Sequence, residues 1–576
     1  MSLLRKHPDF FFGVVLLLLV LGFTLPFIHH AYHIDEPLFL RIAKQIKSDP
    51  LDPYGFYYLW NLYYKPISQI AAFPPLFAYY LALISINYFY PPEWLIHLSL
   101  IPFAMIAVLA FYSLSRQFNL TPTKSFLASS LFAVSPAFVV SSNMAMPDVA
   151  CVAMVLLAFV FSVQGWKSHK TYFLVLGGLS LAIATLFRYN AVPLIGILFL
   201  LGLTFQNWKR AIIPSLIATG FFSVWLLWSS FLTGASHTSE TLSIFMDTNG
   251  IIRRFWTLNT HLTLSTFIPF LVAIFWWKKG LFWRIFILFL MVDVGFLLTR
   301  GQIKQFALFP DLIFFGLGLA TLFFLAYLFL KNLKSAKVIQ IQNKNDKNYY
   351  ASTIQLGRLT ILKNNQDFQT LTLVLWITSV LLIPIIYVQF ASKYLLLAQP
   401  PLILLLFLYF KRRWLTYTVT AFLPIMLTLS LLVAQSDFGY ANIYRETAEK
   451  LFNDVSDPNF IEKKSPYPRI WFTGHWGWQY YLESYGAKPL PYVPLENTGA
   501  LVGDLILTSK LASSHKIHPT VTPLLKRKGY LFPQKDVLFR TMNDQGRAGF
   551  YSDSWGPLPF TVSNAPLERF AVYEIE

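Results

Sequence analysis

Long apolar runs recur along residues 1–434, and short polar or basic stretches separate them. A helix that crosses a bilayer needs about 20 predominantly apolar residues, so each long run predicts one span. The predicted spans lie near residues 10–28, 94–115, 124–142, 149–165, 172–187, 190–206, 211–232, 262–277, 281–298, 305–330, 371–390, 395–410 and 414–434. The pattern therefore predicts a polytopic α-helical membrane protein with about 13 transmembrane helices.

Basic residues between the runs predict the orientation of the spans, because Lys and Arg are enriched in cytoplasmic loops. Every second loop is basic if the run at 74–90, which is rich in Tyr and Asn, lies at the outer interface and does not cross. This arrangement places the N-terminus in the cytoplasm and makes residues 30–93 a long first external loop with interfacial helices. The first run lacks a small-residue cleavage pattern, so we expect an uncleaved anchor. An arrangement with one more span would misplace several basic clusters.

Two other regions differ from the span pattern. Residues 331–370 are rich in Lys and Asn and predict a cytoplasmic linker. Beyond the last predicted span, helical spacing returns and short apolar stretches resemble buried strands. The predicted helices are near 440–455 and 476–484, and the predicted strands are near 469–473 and 504–508. We therefore expect a transmembrane domain over 1–434 and a small extracytoplasmic α/β domain over 435–576.

Composition supports a membrane protein and narrows its partners. Of the 576 residues, 55% are hydrophobic and 13% are charged, which excludes disordered, collagen-like and ordinary soluble classes. The formal net charge is +18, but the basic residues lie in short clusters between apolar runs, so we expect membrane lipids and no nucleic acid as partners. The one cysteine, Cys151, lies in an apolar run, which excludes an internal disulfide and a thiolate metal cluster.

The strongest candidate for chemistry follows the first span. Asp35, Glu36 and Pro37 precede a stretch in which Leu38, Ile42 and Ile46 fall on one helical face, so the pattern predicts an amphipathic helix in the outer interface. An acidic residue before a Pro at a helix start is a common cap. A carboxylate at a membrane surface can also deprotonate a hydroxyl or amine nucleophile. The sequence leaves both roles open.

Two more features lie near the predicted outer face. Asp148 follows Pro147 at the start of a span, where it either caps the helix or belongs to a site. His29, His30 and His33 lie beside the acidic pair, but their spacing matches no specific ligand signature. We therefore expect no metal site and no cofactor, although the residue types allow a divalent metal.

Several cations fall on the predicted outer side, against the positive-inside bias. Such residues either reach lipid head groups or hold an anion, and a phosphate is the anion that a membrane supplies most readily. The two Lys residues of this set each precede an aromatic and apolar residues at a predicted outer helix start. The set is Arg188, Arg253, Arg254, Arg300, Lys304 and Lys393.

Together these segments resemble a known family. The segments are Asp35-Glu36 with its amphipathic helix, Phe73-Pro74-Pro75-Leu76, Ser135-Pro136, Pro147-Asp148, Lys393-Tyr394-Leu395-Leu396 and the α/β tail. Their order is similar to that in the GT-C superfamily of membrane glycosyltransferases, above all the bacterial relatives of dolichyl-phosphate-mannose protein mannosyltransferases and lipid A aminoarabinose transferases. The resemblance covers most of the chain and implies a GT-C-like fold and a polyprenyl-phosphate sugar donor.

The resemblance also implies roles for individual residues. It makes Asp35 the catalytic base and Glu36 a neighbour that positions a substrate, while Asp148 and His33 orient the acceptor or the sugar. The residues implied for the donor phosphate are Lys393, Arg300, Lys304, Arg188 and Lys65.

Three departures from the family pattern bear on these roles. The aminoarabinose transferases carry a Lys directly before Pro-Pro-Leu, where this chain has Phe73, so Lys65 or another cation must serve. The later motif usually has Arg before the Tyr, where this chain has Lys393, which keeps the charge and loses bidentate geometry. The Trp-Trp-Asp signature of oligosaccharyltransferases is absent from the sequence, which disfavours transfer of a preassembled oligosaccharide.

The expected function is therefore that of a hexosyl- or pentosyltransferase of cell envelope glycosylation, a multi-pass protein of the inner or plasma membrane. It would move a sugar from polyprenyl phosphate to a lipid, glycan or protein acceptor, with inversion because no second carboxylate is evident for a covalent intermediate. One alternative is a transporter or flippase of a lipid-linked or anionic substrate, which needs polar residues near the bilayer midplane. Another is a non-catalytic membrane binding protein, in which Asp35 and the outer cations would be replaceable.

Overall fold

The computed structural model describes most of the chain as helices. The described residues are 7–60, 62–71, 73–205, 208–233, 250–276, 309–335, 353–356, 359–362, 366–410, 413–456, 469–510, 516–531, 533 and 537–576. The helices are α1 (Pro8–Thr24), α2 (Glu36–Ser48), α3 (Leu76–Ile84), α4 (Glu93–Gln117), α5 (Pro122–Ala133), α6 (Pro136–Ser142), α7 (Pro147–Ser168), α8 (Thr171–Phe187), α9 (Leu194–Gly202), α10 (Trp208–Ala211), α11 (Ile213–Thr233), α12 (Ile251–Thr266), α13 (Ile268–Trp276), α14 (Phe309–Ser335), α15 (Gln366–Ile386), α16 (Gln399–Tyr409), α17 (Arg413–Ser456), α18 (Trp476–Ser484) and α19 (Leu495–Thr498).

Many of these helices are long and apolar enough to cross a membrane. By length and composition, seven of the described helices qualify, and two bent pairs raise the number to nine. The seven are Pro8–Phe27, Glu93–Gln117, Pro147–Ser168, Trp208–Thr233, Asp311–Leu333, Gln366–Ile386 and Arg413–Asn453. Shorter apolar helices lie at Thr171–Phe187, Tyr189–Gly202 and Gln399–Tyr409. The predicted span at 281–298 lies outside the described residues, so the number of about 13 stays a prediction.

The two bent pairs each replace a single predicted helix by two shorter ones. Between α5 and α6 the axis turns by 65°, where Pro136 begins the second helix and the Ser135 hydroxyl accepts from the Phe138 N–H at 3.3 Å. A capping Ser followed by Pro is a helix-start signal, and it divides the predicted run at 124–142. Between α12 and α13 the bend is 86°.

The predicted first external loop contains the expected amphipathic helix. The helix α2 buries Leu38, Ile42 and Ile46 along one face, as their spacing predicts. The helix α3 has nine residues, which span about 14 Å at 1.5 Å per residue. This length is about half of a bilayer core. That the 74–90 run lies at the outer interface stays a prediction.

The linker region and the predicted domain boundary look different in the structure. At the ends of the predicted linker 331–370, α14 continues to Ser335 and α15 begins at Gln366. An antiparallel hairpin of β3 (Thr353–Leu356) and β4 (Leu359–Leu362) lies between them.

The last predicted span and the predicted helix at 440–455 are one continuous helix, α17. The boundary predicted at 434 therefore falls inside a helix rather than in a loop.

The C-terminal region is a small α/β unit, as predicted. Its sheet has five strands in the order β6 (Lys488–Pro489), β5 (Ile470–Thr473), β7 (Leu505–Ser509), β13 (Phe570–Ile575) and β8 (Leu525–Leu531). The strand β5 runs parallel to β6 and β7, while β13 is antiparallel to β7 and β8. The predicted strands at 469–473 and 504–508 and the predicted helix at 476–484 are all confirmed.

Three more pairs of short antiparallel strands are described. Hairpins pair β1 (Tyr57–Trp60) with β2 (Tyr63–Pro66) and β10 (Met542–Asn543) with β11 (Ala548–Gly549). The strand β9 (Phe539–Arg540) pairs with β12 (Thr561–Val562), which follows β10 and β11 in the chain. The fold class predicted from the sequence is thus confirmed: a polytopic α-helical membrane protein with a C-terminal α/β region.

The C-terminal unit packs directly against the start of the first loop. The Tyr32 N–H donates to the Tyr481 hydroxyl at 2.8 Å, and the Ala31 N–H donates to the Asn442 side chain at 3.2 Å. Gly477 in α18 lies so close to Tyr32 that a Cβ at that position would overlap the Tyr32 carbonyl oxygen. Residues 31–33 are therefore held by both α17 and α18 just before the predicted acidic pair.

Candidate functional site

Asp35 and Glu36 are adjacent in sequence but have different surroundings. Asp35 stands at the N-cap position of α2, yet its side chain makes no capping hydrogen bond. Its side chain is 28% exposed, whereas that of Glu36 is fully buried. The residue before them, Ile34, has φ +52°, an unusual conformation for a β-branched residue that costs about 1–3 kcal/mol. Backbone strain beside a partly exposed carboxylate is typical of functional sites.

Asp35 is paired with a residue from a distant part of the chain. Lys393 Nζ lies 3.4 Å from Asp35 Oδ2 and 3.3 Å from Met146 Sδ. Lys393 belongs to a 3-10 turn, Ser392–Leu395, and its side chain is only 5% exposed. A nearly buried ammonium needs a nearby anion, and the chain supplies Asp35.

A second ion pair lies in the same region. The Arg188 guanidinium donates to Asp148 Oδ2 at 2.7 Å, and both side chains are largely buried. Arg188 lies between α8 and the 3-10 turn Tyr189–Ala191, and Asp148 lies in the first turn of α7. Asp148 thus binds an Arg and does not cap its helix through its side chain.

Electrostatic interactions join the two ion pairs into one site. Arg188 interacts with Asp35 and Tyr394 as well as with Asp148. Burial raises the pKa of the Tyr394 hydroxyl well above its usual value, and the nearby carboxylates of Asp148 and Asp35 raise it further. We call Asp35, Asp148, Arg188, Lys393 and Tyr394 the charged site. It combines one partly exposed carboxylate with two cations that could hold an anion.

Behind the charged site lies a buried group of histidines and carboxylates. Glu36 accepts hydrogen bonds from the His33 N–H at 2.6 Å, from His33 Nδ1 at 3.2 Å and from the Ala145 N–H. His97 Nε2 lies 3.6 Å from Glu36 Oε1. These contacts tie the first loop to the segment that precedes Asp148. The Glu36 side chain is therefore fully buried, with all of these partners inside the protein.

The same group includes a carboxylate from the last long helix. Asp437 Oδ2 lies 3.4 Å from His30 Nε2 and 3.5 Å from His33 Nε2, and it accepts from the Tyr551 hydroxyl at 2.6 Å. Asp437 Oδ1 accepts from Thr541 at 2.8 Å. We call His30, His33, His97, Glu36, Asp437 and Tyr551 the histidine–carboxylate cluster. All six side chains are buried.

Charge controls the protonation of this cluster. Burial alone would raise the pKa of Glu36, but hydrogen bonds and charge from His33 and His97 outweigh it and lower that pKa to about 2. Burial alone would lower the pKa of His33, but Asp437 and Glu36 outweigh it and raise that pKa to about 9. For His30, burial prevails and lowers the pKa. The cluster thus holds ionised carboxylates in a buried environment.

The turn that carries Lys393 is fixed by the C-terminal region. The Ser392 N–H donates to the Phe550 carbonyl at 2.8 Å. The Phe390 N–H donates to Asp553 Oδ1 at 2.8 Å, and the Asp553 N–H donates back to the Phe390 carbonyl at 3.0 Å. Arg253 donates to Asp553 Oδ2 at 2.6 Å. Residues 550–553 therefore position the turn beside the charged site.

The other predicted site residues lie elsewhere. Lys65 is exposed on β2, opposite Tyr58 in the hairpin. Within the described residues it makes no hydrogen bond or ion pair with the charged site. Arg300 and Lys304 lie outside the described residues. Arg253 and Arg254, which the charge pattern singled out, have structural partners: Arg254 is buried and donates to the carbonyls of Ile385 and Val388.

Three members of the cluster, Asp437, His97 and Tyr551, are not among the site residues predicted from the sequence. Asp437 has a signal in the sequence, since an acidic residue in a long apolar helix is costly and often functional. The predicted end of the last span at 434 places Asp437 outside that helix. His97 and Tyr551 carried no local signal, because only the fold brings them to the cluster.

Comparisons with known proteins show which family part of the sequence resembles. A family model described as dolichyl-phosphate-mannose-protein mannosyltransferase matches residues 73–231. No curated protein sequence matches the chain. The resemblance to GT-C membrane glycosyltransferases found in the sequence is thus confirmed by a family model over that segment.

Several solved structures are similar in fold at low identity. An oligosaccharyltransferase from Archaeoglobus fulgidus, tethered to an acceptor peptide, is 12% identical with a TM-score of 0.43, and the match covers 85% of this chain and 64% of that one. ArnT from Cupriavidus metallidurans, bound to undecaprenyl phosphate, is 12% identical with a TM-score of 0.43, covering 98% and 97%. The Pmt1-Pmt2 complex of S. cerevisiae, bound to its sugar donor, is 14% identical with a TM-score of 0.31, covering 46% and 38%. The chain thus spans less than two thirds of the length of the archaeal enzyme in the first of these structures.

Proposed function

We propose that this protein transfers a sugar from a polyprenyl-phosphate-linked donor to an acceptor at the extracytoplasmic face of the membrane. The observation that carries the proposal is the pairing of partly exposed Asp35 with nearly buried Lys393 at 3.4 Å. A base and a phosphate-binding cation side by side are what a sugar-phosphate transfer needs. The family model match over residues 73–231 supports it, since the family's description names a dolichyl-phosphate sugar.

Asp35 is the proposed base. Its carboxylate makes no capping hydrogen bond and is partly exposed. An acceptor hydroxyl or amine can therefore approach it. The other carboxylates nearby are engaged: Asp148 binds Arg188, and Glu36 binds backbone N–H groups. A general base positioned in this way contributes about 10²–10⁴-fold to a rate.

Lys393 and Arg188 are the proposed ligands of the donor phosphate. A phosphate that pairs with Lys393 replaces the Asp35 carboxylate as its counter-ion. Donor binding would then release Asp35 to accept the proton of the acceptor, which couples the two binding events. Arg300 and Lys304 remain proposed phosphate ligands as cations on the predicted outer side, and Lys65 remains one from the family resemblance. Asp148 is proposed to orient the sugar or acceptor through Arg188.

His33 and Glu36 take an indirect role in this proposal. Both side chains are fully buried, so they position the start of α2 and do not touch the sugar. This revises the expectation that His33 orients a substrate directly. The revised role makes His33 and Glu36 positioning residues.

The proposed chemistry is a direct displacement. The acceptor oxygen or nitrogen attacks the anomeric carbon as its proton moves to Asp35, and the bond from that carbon to the phosphate oxygen breaks. The polyprenyl phosphate leaves with the bond's electrons, and Lys393 and Arg188 balance its charge. One displacement inverts the anomeric configuration.

The proposed domains follow from the same arrangement. Residues 1–434 form the transmembrane transferase domain and residues 435–576 the extracytoplasmic domain, although α17 runs through the boundary. The C-terminal unit contacts residues 31–33 and the Lys393 turn, so it lies on the same side as the charged site. With the basic loops in the cytoplasm, the N-terminus is cytoplasmic and that side is extracytoplasmic.

The experiment is donor turnover by the purified full chain in detergent with a labelled polyprenyl-phosphate sugar and cell-envelope acceptor. A transferase releases free polyprenyl phosphate and a labelled acceptor in equal amounts. A transporter releases neither, because detergent leaves no compartments to connect. Binding of the donor without release would support the transporter alternative.

A further inference from the structure

The histidine–carboxylate cluster has the geometry of a metal site. His30, His33 and Glu36 each offer a ligand atom, and these atoms lie within 4.8 Å of one another. Asp437 Oδ2 faces both imidazoles at 3.4 and 3.5 Å. Two ligands about 2.0–2.1 Å from a tetrahedral zinc ion are about 3.3–3.4 Å apart. The two distances from the imidazoles to Asp437 match this value.

The imidazoles are oriented in the way that metal ligands usually are. His30 Nδ1 is bonded to the Ala31 carbonyl at 2.9 Å, and His33 Nδ1 to Glu36 Oε2 at 3.2 Å. Metal-binding histidines commonly give their second ring nitrogen to a carbonyl or carboxylate, which fixes the tautomer. In both residues this leaves Nε2 as the coordinating atom, and both Nε2 atoms point toward Asp437.

Neither Nε2 atom has a hydrogen-bond partner. Both are completely buried, and neither makes a hydrogen bond of acceptable geometry to Asp437. A charge-assisted N–H···O bond would be about 2.7–2.9 Å long, so 3.4 and 3.5 Å leave a gap. Buried polar atoms without a partner call for an explanation such as an ion.

Charge balance gives an independent reason for a cation. Glu36 and Asp437 are two buried carboxylates, and within the described part of the chain all their ion pairs are with histidines. A divalent cation would balance both carboxylates, and buried carboxylates require such compensation.

From these observations we infer that His30 Nε2, His33 Nε2 and Asp437 Oδ2 bind a divalent transition-metal ion of the zinc type. Glu36 and Tyr551 are the outer partners, since Glu36 orients His33 and the Tyr551 hydroxyl donates to Asp437. The ligand side chains are buried, and they come from the start of the first loop and from α17. The ion would therefore join these two segments.

The test is metal content of the full chain purified without added metal. Inductively coupled plasma mass spectrometry is expected to find about one zinc-type ion per chain. Removal with 1,10-phenanthroline should lower the melting temperature, and Zn²⁺ alone should restore it. Cobalt substitution should give the visible absorption of a tetrahedral site with nitrogen and oxygen ligands.

Matched variants locate the site. His30→Gln and Asp437→Asn should each weaken Zn²⁺ binding by at least 100-fold, since even outer partners change affinity by about 10–100-fold. His29→Gln, an exposed neighbour, should bind as the wild type does. If Asp437→Asn fails to fold, Tyr551→Phe keeps the ligand atom and should still weaken binding by about 10-fold.

Two results would overturn the inference that the cluster binds a metal ion. A wild-type chain that carries no metal and whose melting temperature ignores Zn²⁺ would make the cluster a metal-free ion pair between His33 and Asp437. Equal Zn²⁺ binding by wild type, His30→Gln and Asp437→Asn would place any bound metal elsewhere. Neither result depends on whether the protein transfers a sugar.

Discussion

Asp553 and Phe390 hold each other through two hydrogen bonds, from the Phe390 N–H to Asp553 Oδ1 at 2.8 Å and from the Asp553 N–H to the Phe390 carbonyl at 3.0 Å. Arg253 neutralises the second oxygen of the same carboxylate at 2.6 Å. Three residues further on, Lys393 reaches Asp35. The C-terminal region thus controls the position of a residue in the charged site without belonging to it.

Asp553→Ala should therefore weaken donor use as well as stability. Loss of a buried acceptor that serves a backbone N–H and an Arg costs about 1.5–3 kcal/mol. The turn that carries Lys393 is then no longer held in position beside the charged site. Donor KM should therefore rise more than kcat falls. Thermal unfolding and donor titration of the same preparation check this. Asp544→Asn, at an exposed carboxylate of the same region, is the control and should leave both unchanged.

The Asp35 side chain does not cap α2, although Asp35 is the N-cap residue. Replacing a true N-cap with Ala costs about 1 kcal/mol, but the Asp35 side chain makes no capping bond. The test has to remove the nearly buried ammonium of Lys393 as well, because Asp35 is its partner and a buried charge without a partner is destabilising. Asp35→Ala combined with Lys393→Met should have a melting temperature within about 2 °C of that of Lys393→Met alone. A chemical or thermal unfolding curve of both variants measures this, and a drop as large as that of a lost cap would mean that the carboxylate does stabilise α2.

The Arg188–Asp148 pair should behave as a buried ion pair. Arg188→Ala leaves Asp148 almost buried and unpaired, which costs about 3–5 kcal/mol. The double variant Arg188→Met with Asp148→Leu removes both charges and should recover most of that loss. Donor affinity should stay low in both variants if Arg188 binds the phosphate. Recovery of donor affinity in the double variant would instead give Arg188 a purely structural role.

Contact between the C-terminal unit and the first loop should be sensitive to one methyl group. Gly477→Ala places a Cβ on the Tyr32 carbonyl oxygen, and such overpacking costs about 1–3 kcal/mol. Because residues 31–33 precede Asp35, activity should fall with stability. Gly529→Ala is the matched control, since no heavy atom lies within 4 Å of a Cβ there. A wild-type melting temperature for Gly477→Ala would mean that α18 can shift freely.

The sequence predicted the helices, the C-terminal strands and four of the five members of the charged site, and physical reasons explain the rest. Apolar runs and amphipathic spacing are local, so α2 and the strands near 469–473 and 504–508 were visible in the chain. Pairing is not local: Lys393 stood out as a cation on the outer side, but its partner Asp35 is known only from the fold. Likewise, sequence alone could not show that Glu36 points into the protein while Asp35 does not.

The boundaries were harder to predict than the elements. A drop in hydropathy after 434 suggested the end of a helix, but no Pro follows within α17, and the helix continues to Ser456. Beyond the apolar stretch, helix propensity and packing against α18 keep the chain helical. This continuation carries Asp437 into the histidine–carboxylate cluster, which explains why the cluster was missed.

The most direct test of the central claim compares single-turnover release of polyprenyl phosphate by wild type, Asp35→Asn and Lys393→Ala, with donor binding measured separately. The control is Asp49→Asn, an exposed carboxylate at the other end of α2. The account predicts that Asp35→Asn binds donor at least as tightly as the wild type, because no carboxylate then competes for Lys393, and that it slows release by about 10²–10⁴-fold. Lys393→Ala should weaken donor binding, and Asp49→Asn should match the wild type. Normal release by Asp35→Asn would contradict the account, because the base would then lie elsewhere.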